Sequence, residues 1–194
     1  ALPISACGGS FFERFEYEED VYLELNGAAT IYVNGSAAAL DALRGAAFPT
    51  APDAAIGRDE VRAFFTTPVT RVVRNPTFSR QSGRRFLHVR LATDDIMSVG
   101  QAAPLSWSSY RFERDGNLLI YRQTVGKPAG RDVGSVGWTG QERVAFRLHM
   151  PSAVVYHNAG ADGLRRGNIL VWEQPLADRL RGEPLAFEAR IERS

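Results

Sequence analysis

The chain has 194 residues, 44% of them hydrophobic and 23% charged, which is ordinary globular usage and excludes wholesale disorder. Its 23 basic and 22 acidic residues leave a net charge of +1, so no global field draws it to nucleic acid. A single cysteine excludes an intramolecular disulfide and any cysteine-based zinc site.

The chain opens Ala1-Leu2-Pro3-Ile4-Ser5-Ala6-Cys7-Gly8-Gly9-Ser10. An aliphatic residue, two small residues and a cysteine form the pattern a lipoprotein signal peptidase reads, because small side chains fit the subsites beside the cut. The Cys7 thiol would then receive a diacylglycerol, and Gly8 to Ser10 would be a flexible tether. Residues 1–10 therefore read as a signal-peptide remnant and tether, and residues 11–194 as a single domain. An incidental cysteine in an apolar N-terminal segment is the competing reading. Acylation would place the domain outside the cytoplasmic membrane of a bacterium, anchored in the cell envelope. No stretch approaches the ~18 apolar residues that span a bilayer. The chain stops directly after a predicted strand, and a membrane helix beyond Ser194 is an expectation.

An acidic run follows the tether, with Glu13, Glu16, Glu18, Glu19, Asp20 and Glu24. Val21–Leu25 and Ala29–Val33 alternate in polarity around Asn26-Gly27, the signature of a type I′ hairpin. Ser36 caps a predicted helix over 37–44 that Gly45 stops. A second short helix is predicted over 58–66, with Val61, Phe64 and Phe65 on one face. Strands follow at 69–74 and 85–91, with a turn at Gln81-Ser82-Gly83. Thr93 is the expected cap of a short helix over 94–99. Asp115-Gly116-Asn117 joins strands at 107–114 and 118–125 in a second hairpin. Residues 126–140 hold five glycines and read as a loop. Strands are expected at 142–150, 153–157, 169–173 and 185–191. The class is α+β: a largely antiparallel, curved β-sheet with two or three short helices. No Gly-rich strand-to-helix turn exists for a nucleotide.

The candidate chemistry is sparse. Between Thr66 and Arg90 stand six arginines and no acidic residue. A basic face for anionic lipid headgroups or an acidic polymer is one reading, and pairing with the acidic run, or a plain solvated face, is the other. Of the arginines, Arg84 and Arg85, with Arg165 and Arg166 from a later turn, are the expected contacts to an anionic partner. His88, His149 and His157 match no metal-ligand spacing, and no Gly-x-Ser-x-Gly marks a nucleophile. No metal, cofactor or catalytic residue is assigned. A hydrolase using His149 and His157 with a nearby carboxylate is the enzymatic alternative.

Two passages carry a resemblance. One is the cysteine motif at Cys7. The other runs Met150-Pro151-Ser152-Ala153-Val154-Val155-Tyr156-His157-Asn158-Ala159-Gly160 and continues at Gly167-Asn168-Ile169-Leu170-Val171-Trp172-Glu173. Together with the Asn26-Gly27 hairpin, the chain resembles the LppM-like bacterial lipoproteins, which carry a proline-led strand, an Asn-Gly-like turn and a returning strand ending in Trp. The turn here is longer and holds Arg165 and Arg166, and the middle of the chain has no counterpart. The resemblance implies an envelope-exposed α+β domain that binds lipid or glycolipid and has no catalytic residues. The expectation is a non-enzymatic envelope lipoprotein domain. It would hold to the membrane through Cys7 and bind an anionic lipid, a glycolipid or an envelope protein, but not nucleic acid. A purely structural domain of a larger envelope assembly is the third reading.

Overall fold

The computed structural model describes residues 15–192, so Cys7 and the tether lie outside the described residues. Alternation in the first strand sets the architecture. Along β1 (Phe15–Leu23), Tyr17, Glu19, Val21 and Leu23 are buried, while Tyr22 is exposed and Glu18 and Asp20 are half-buried. β2 (Ala29–Ser36) returns antiparallel in the expected hairpin, but not through a type I′ turn. The Glu24 carbonyl accepts the Gly27 N–H at 3.0 Å, which puts Leu25 and Asn26 at the centre, and Gly27 follows at φ 90° while Asn26 keeps a negative φ. The Asn26 side-chain oxygen accepts the Ala28 N–H at 3.0 Å and fixes that turn.

Helix α1 (Ala37–Arg44) begins where expected, with Ser36 Oγ accepting the Ala39 N–H at 3.0 Å, and closes on Gly45 at φ 68°. Every residue of α1 except Asp41 is buried. Helix α2 (Arg58–Phe65) buries Val61 and Phe65. Phe64 packs edge-on against Phe48 and Phe65, closing the space beneath the helices.

The expected strand at 69–74 shortens to β3 (Arg71–Val72). β4 (Thr77–Gln81) turns through Ser82-Gly83, both at positive φ, into β5 (Arg84–Thr93). The helix expected after Thr93 is a 3-10 turn, Ile96–Gln101. Asp95 rather than Thr93 caps it, its carboxylate accepting the Met97 N–H at 2.9 Å. β6 (Ser108–Asp115) and β7 (Leu118–Val125) form the second hairpin. β8 (Arg143–His149), β9 (Val154–His157), β10 (Leu164–Arg165), β11 (Ile169–Pro175), helix α3 (Leu176–Leu180) and β12 (Leu185–Glu192) complete the chain.

The α+β class and the dominance of antiparallel pairing agree with the sequence expectation, but the strands divide into two sheets. The larger runs β10-β11-β8-β1-β2-β5-β3, with β4 also on β5, and the smaller runs β6-β7-β12-β9. β9 and β11 flank one Gly-rich turn in sequence yet lie in different sheets, and that turn carries the chain between them. One pair, β1 with β8, is parallel.

Both sheets close on one core. Phe146 and Trp172 of the larger sheet meet Phe187 of the smaller at 5.3 and 4.4 Å between ring centres. Two glutamates of the acidic run are buried in it. A register irregularity between Phe15 and Tyr17 turns Glu16 inward, where it meets Arg84 at 2.5 Å and accepts the Trp138 indole N–H at 3.1 Å. Glu19 lies between the sheets. It accepts from Arg44 at 2.5 Å, Tyr17 at 2.8 Å, Tyr110 at 3.0 Å and Gln123 at 3.2 Å, which ties β1, α1, β6 and β7 to one carboxylate.

Candidate functional site

The outward face of the larger sheet follows from the same alternation that fills the core. Register places Asp20, Tyr32 and Arg90 in one cross-strand row with Arg147, and Glu18, Asn34 and His88 in the next. Cross-strand partners share a face, so these side chains form one continuous surface. Tyr22 ends the patch. Its ring stacks on His149 at 3.8 Å and 11° and meets Tyr32 edge-on at 5.3 Å. At 43% exposure, Tyr22 offers an open aromatic plane.

Beside this stack lies a 230 Å³ cleft walled by Tyr32, Asn34, Arg74, Asn75, His88 and Arg90. Arg90 places its guanidinium 5.2 Å from the Tyr32 ring centre. His88 is held from both ring nitrogens, by Asn34 Oδ1 at 3.0 Å and Ser79 Oγ at 2.8 Å. Arg147 is occupied by Glu18 at 2.7 Å and Asp20 at 3.3 Å. Burial holds His88 below the usual imidazole range. Burial lowers His149 too, with the Arg147 charge adding to it. Burial also raises Asp20, against the opposing pull of Arg147. The face thus offers neutral imidazoles, flat rings and two arginines, Arg74 and Arg90, beside the cleft.

The four arginines singled out from the sequence are not brought together. Arg84 is buried, donating to Glu16 at 2.5 and 2.9 Å and to the Gly137 carbonyl at 3.0 Å, so its charge is committed inside the fold. This pair joins the acidic run to the basic stretch, as the pairing reading held. Arg85 is half-buried, its guanidinium 5.9 Å from the Phe78 ring centre. Arg165 and Arg166 are exposed at the opposite edge. Five strand spacings separate β10 from β5, about 24 Å at ~4.8 Å each. Arg165 lines a shallow cleft with Asp162 and Glu173, where acidic side chains oppose its charge.

The histidines of the enzymatic alternative also stand apart. His149 stacks on Tyr22 in the larger sheet. His157 belongs to the smaller one, with its Nδ1 accepting the Ala159 N–H at 3.3 Å. Among the described residues no group of three or more His, Cys, Asp or Glu side chains could hold a metal. Tyr22, Tyr32, Asn34 and Arg90 were not singled out as a set from the sequence. Their signal is the every-second-residue exposure of β1, β2 and β5, and only the register joins it into a surface.

The geometry defines an α+β protein whose larger sheet presents an ordered outer face among the described residues. No family model matches the chain, and no curated protein matches it. Among solved structures, the NMR structure of the folded domain of Mycobacterium tuberculosis LppM is similar. It is 14% identical, over 96% of this chain and 95% of that one, with a TM-score of 0.45. At that identity and score the likeness is one of structure only, and neither a family nor a function follows from it. No helix among the described residues is long and apolar enough to cross a membrane.

Proposed function

We propose that the chain is a non-enzymatic binding module of the bacterial cell envelope, anchored through an acylated Cys7, whose larger sheet takes the sugar head of an anionic glycolipid on its outer face. The observation that carries this reading is the cleft of Tyr32, Asn34, His88, Arg74 and Arg90 beside the exposed Tyr22–His149 stack. Flat rings give a sugar ring an apolar surface to lie on. Arginines give an acidic head a charge-assisted, two-pronged contact.

The test is co-sedimentation with phosphatidylcholine vesicles carrying glucuronosyl diacylglycerol. Cys7→Ser protein, which carries no acyl chain of its own, is expected to bind these and not plain phosphatidylcholine. Tyr32→Ala and Arg90→Gln are each expected to weaken binding by about 1–2 kcal/mol, roughly five- to thirtyfold. Equal binding to both vesicles, or no loss in either variant, would overturn the reading. Intact mass of the protein expressed from its full gene, wild type against Cys7→Ser, tests the anchor. An unmodified Cys7 would remove it.

A protein partner is the second reading, and β9 favours it. This edge strand of the smaller sheet exposes Val155 by 55% and Tyr156 by 46%.

A further inference from the structure

The hydrogen bonds around the Tyr32 cleft fix what each of its polar side chains has left to offer. A carboxamide carries one acceptor oxygen and two donor hydrogens. In Asn75 the oxygen is taken, because Arg62 Nη2 donates to it at 2.6 Å. A guanidinium has no acceptor, so this contact can run in one direction only. In Asn34 the oxygen is taken too, by His88 Nδ1 at 3.0 Å. That contact places the proton of the neutral imidazole on Nδ1, and Nε2 then accepts from Ser79 Oγ at 2.8 Å. Asn34 and Asn75 both line the cleft. Each therefore keeps its amide hydrogens and has no oxygen free, and His88 has neither nitrogen free.

The charges run the same way. Arg74 and Arg90 line the cleft, and neither enters an ion pair among the described residues. No aspartate or glutamate lines it. The acids of the same cross-strand rows, Glu18 and Asp20 on β1, are held by Arg147 at 2.7 and 3.3 Å. The hydroxyls of Tyr32 and Thr77 can donate or accept and impose no preference. Every other polar side chain of the cleft with capacity left is a donor.

Such a site favours a ligand group made of acceptors alone. An ionised carboxylate brings two oxygens, no hydrogen and a negative charge, and its bonds to these donors are charge-assisted. A hydroxymethyl group in its place accepts only as a neutral oxygen, and such bonds are about half as strong. An ammonium head brings donors and a like charge.

We infer that the cleft selects its head group by a carboxylate, so that a uronic acid is taken and the matching neutral sugar is not. Asn34 and Asn75 set this preference, and His88 and Arg62 are positioning residues that hold their amides as donors. The preference rests on the glycolipid reading of the sheet face and narrows it, since flat rings alone would take a neutral sugar as readily as an acidic one.

The experiment is co-sedimentation of Cys7→Ser protein with three kinds of phosphatidylcholine vesicle. At equal mole fraction they carry glucuronosyl diacylglycerol, its neutral glucosyl counterpart, or phosphatidylglycerol. The three heads separate the carboxylate, the sugar ring and plain surface charge. Binding to the glucuronosyl lipid is expected to be at least about tenfold tighter than to either other. Asn34→Asp and Asn75→Asp keep the side-chain size but exchange donors for a charged acceptor, and each is expected to cut the glucuronosyl-to-glucosyl ratio to about threefold or less. Asn75 is exposed and outside any strand, so its variants fold even if Asn34→Asp does not. Asn75→Ala, which removes the donors without adding charge, is expected to lower the ratio as well. Arg62→Met, which leaves the Asn75 amide free to turn, is expected to lower the same ratio, a readout that a loss of folded protein does not move. Equal binding to the two glycolipids, with none to phosphatidylglycerol, would overturn the carboxylate preference and leave the sheet face a sugar site. A preference that the Asn75 variants and a folded Asn34→Asp leave intact would overturn it too. Equal binding to the glucuronosyl lipid and phosphatidylglycerol, or binding to none of the three, would overturn both readings.

Discussion

Glu19 shows how one residue in a charged run can govern a core. In sequence it is the middle of Glu18-Glu19-Asp20, and its neighbours face out. The strand period turns it inward, where Arg44 and three neutral donors surround it. Removing one partner of such a pair leaves a bare charge in the interior. Glu19→Ala is expected to cost about 3–5 kcal/mol in urea unfolding, whereas Glu19→Leu with Arg44→Met is expected to recover most of that loss. A double variant as unstable as the single would mean that the surrounding hydroxyls, not the pair, set the cost. The histidines of the outer face give a pH dependence. His88 and His149 are both held below their ordinary value of 6.5 in the folded chain. The unfolded chain therefore takes up protons first, and stability falls as pH drops through about 6.5. Asp20, raised from 3.8, acts in the opposite sense and at lower pH. The thermal midpoint of wild type should drop more between pH 8 and pH 5.5 than that of His88→Gln/His149→Gln. An equal drop would assign the effect elsewhere.

At the scale of elements, what was legible in the sequence was local. Ser36 and Gly45 bound α1, and Asn26-Gly27 and Asp115-Gly116-Asn117 fix their hairpins, because capping and turn chemistry act within a few residues. The division into two sheets was not legible. Nothing in residues 154–157 states that their partner is β12 rather than β11, since strand pairing is decided by packing far along the chain. The candidate site shared this fate. His88, Arg74 and Arg90 were visible as a histidine and members of a basic stretch, but Tyr32 and Asn34 joined them only through register. The 3-10 turn at Ile96–Gln101 gives a test at this scale. A Cβ on Gly100 would lie 2.8 Å from the Ser108 carbonyl oxygen, backbone that cannot easily move. Gly100→Ala is expected to cost about 1–3 kcal/mol, read from the urea midpoint. A change below about 0.5 kcal/mol would show that the turn can slide along β6.

For the molecule as a whole, the parallel pairing of β1 with β8 has a consequence in time. β1 is the first strand described and lies inside the larger sheet, between β2 and β8. Its second ladder runs from the Phe15–Arg143 pair to the Tyr22–His149 pair, across some 127 intervening positions. A ribosome must therefore reach Arg143 before this strand loses its bare edge, and the loop that closes is costly to form. Until then the nascent chain holds an incomplete sheet with a bare strand edge, a state that chaperones recognise and that aggregates readily.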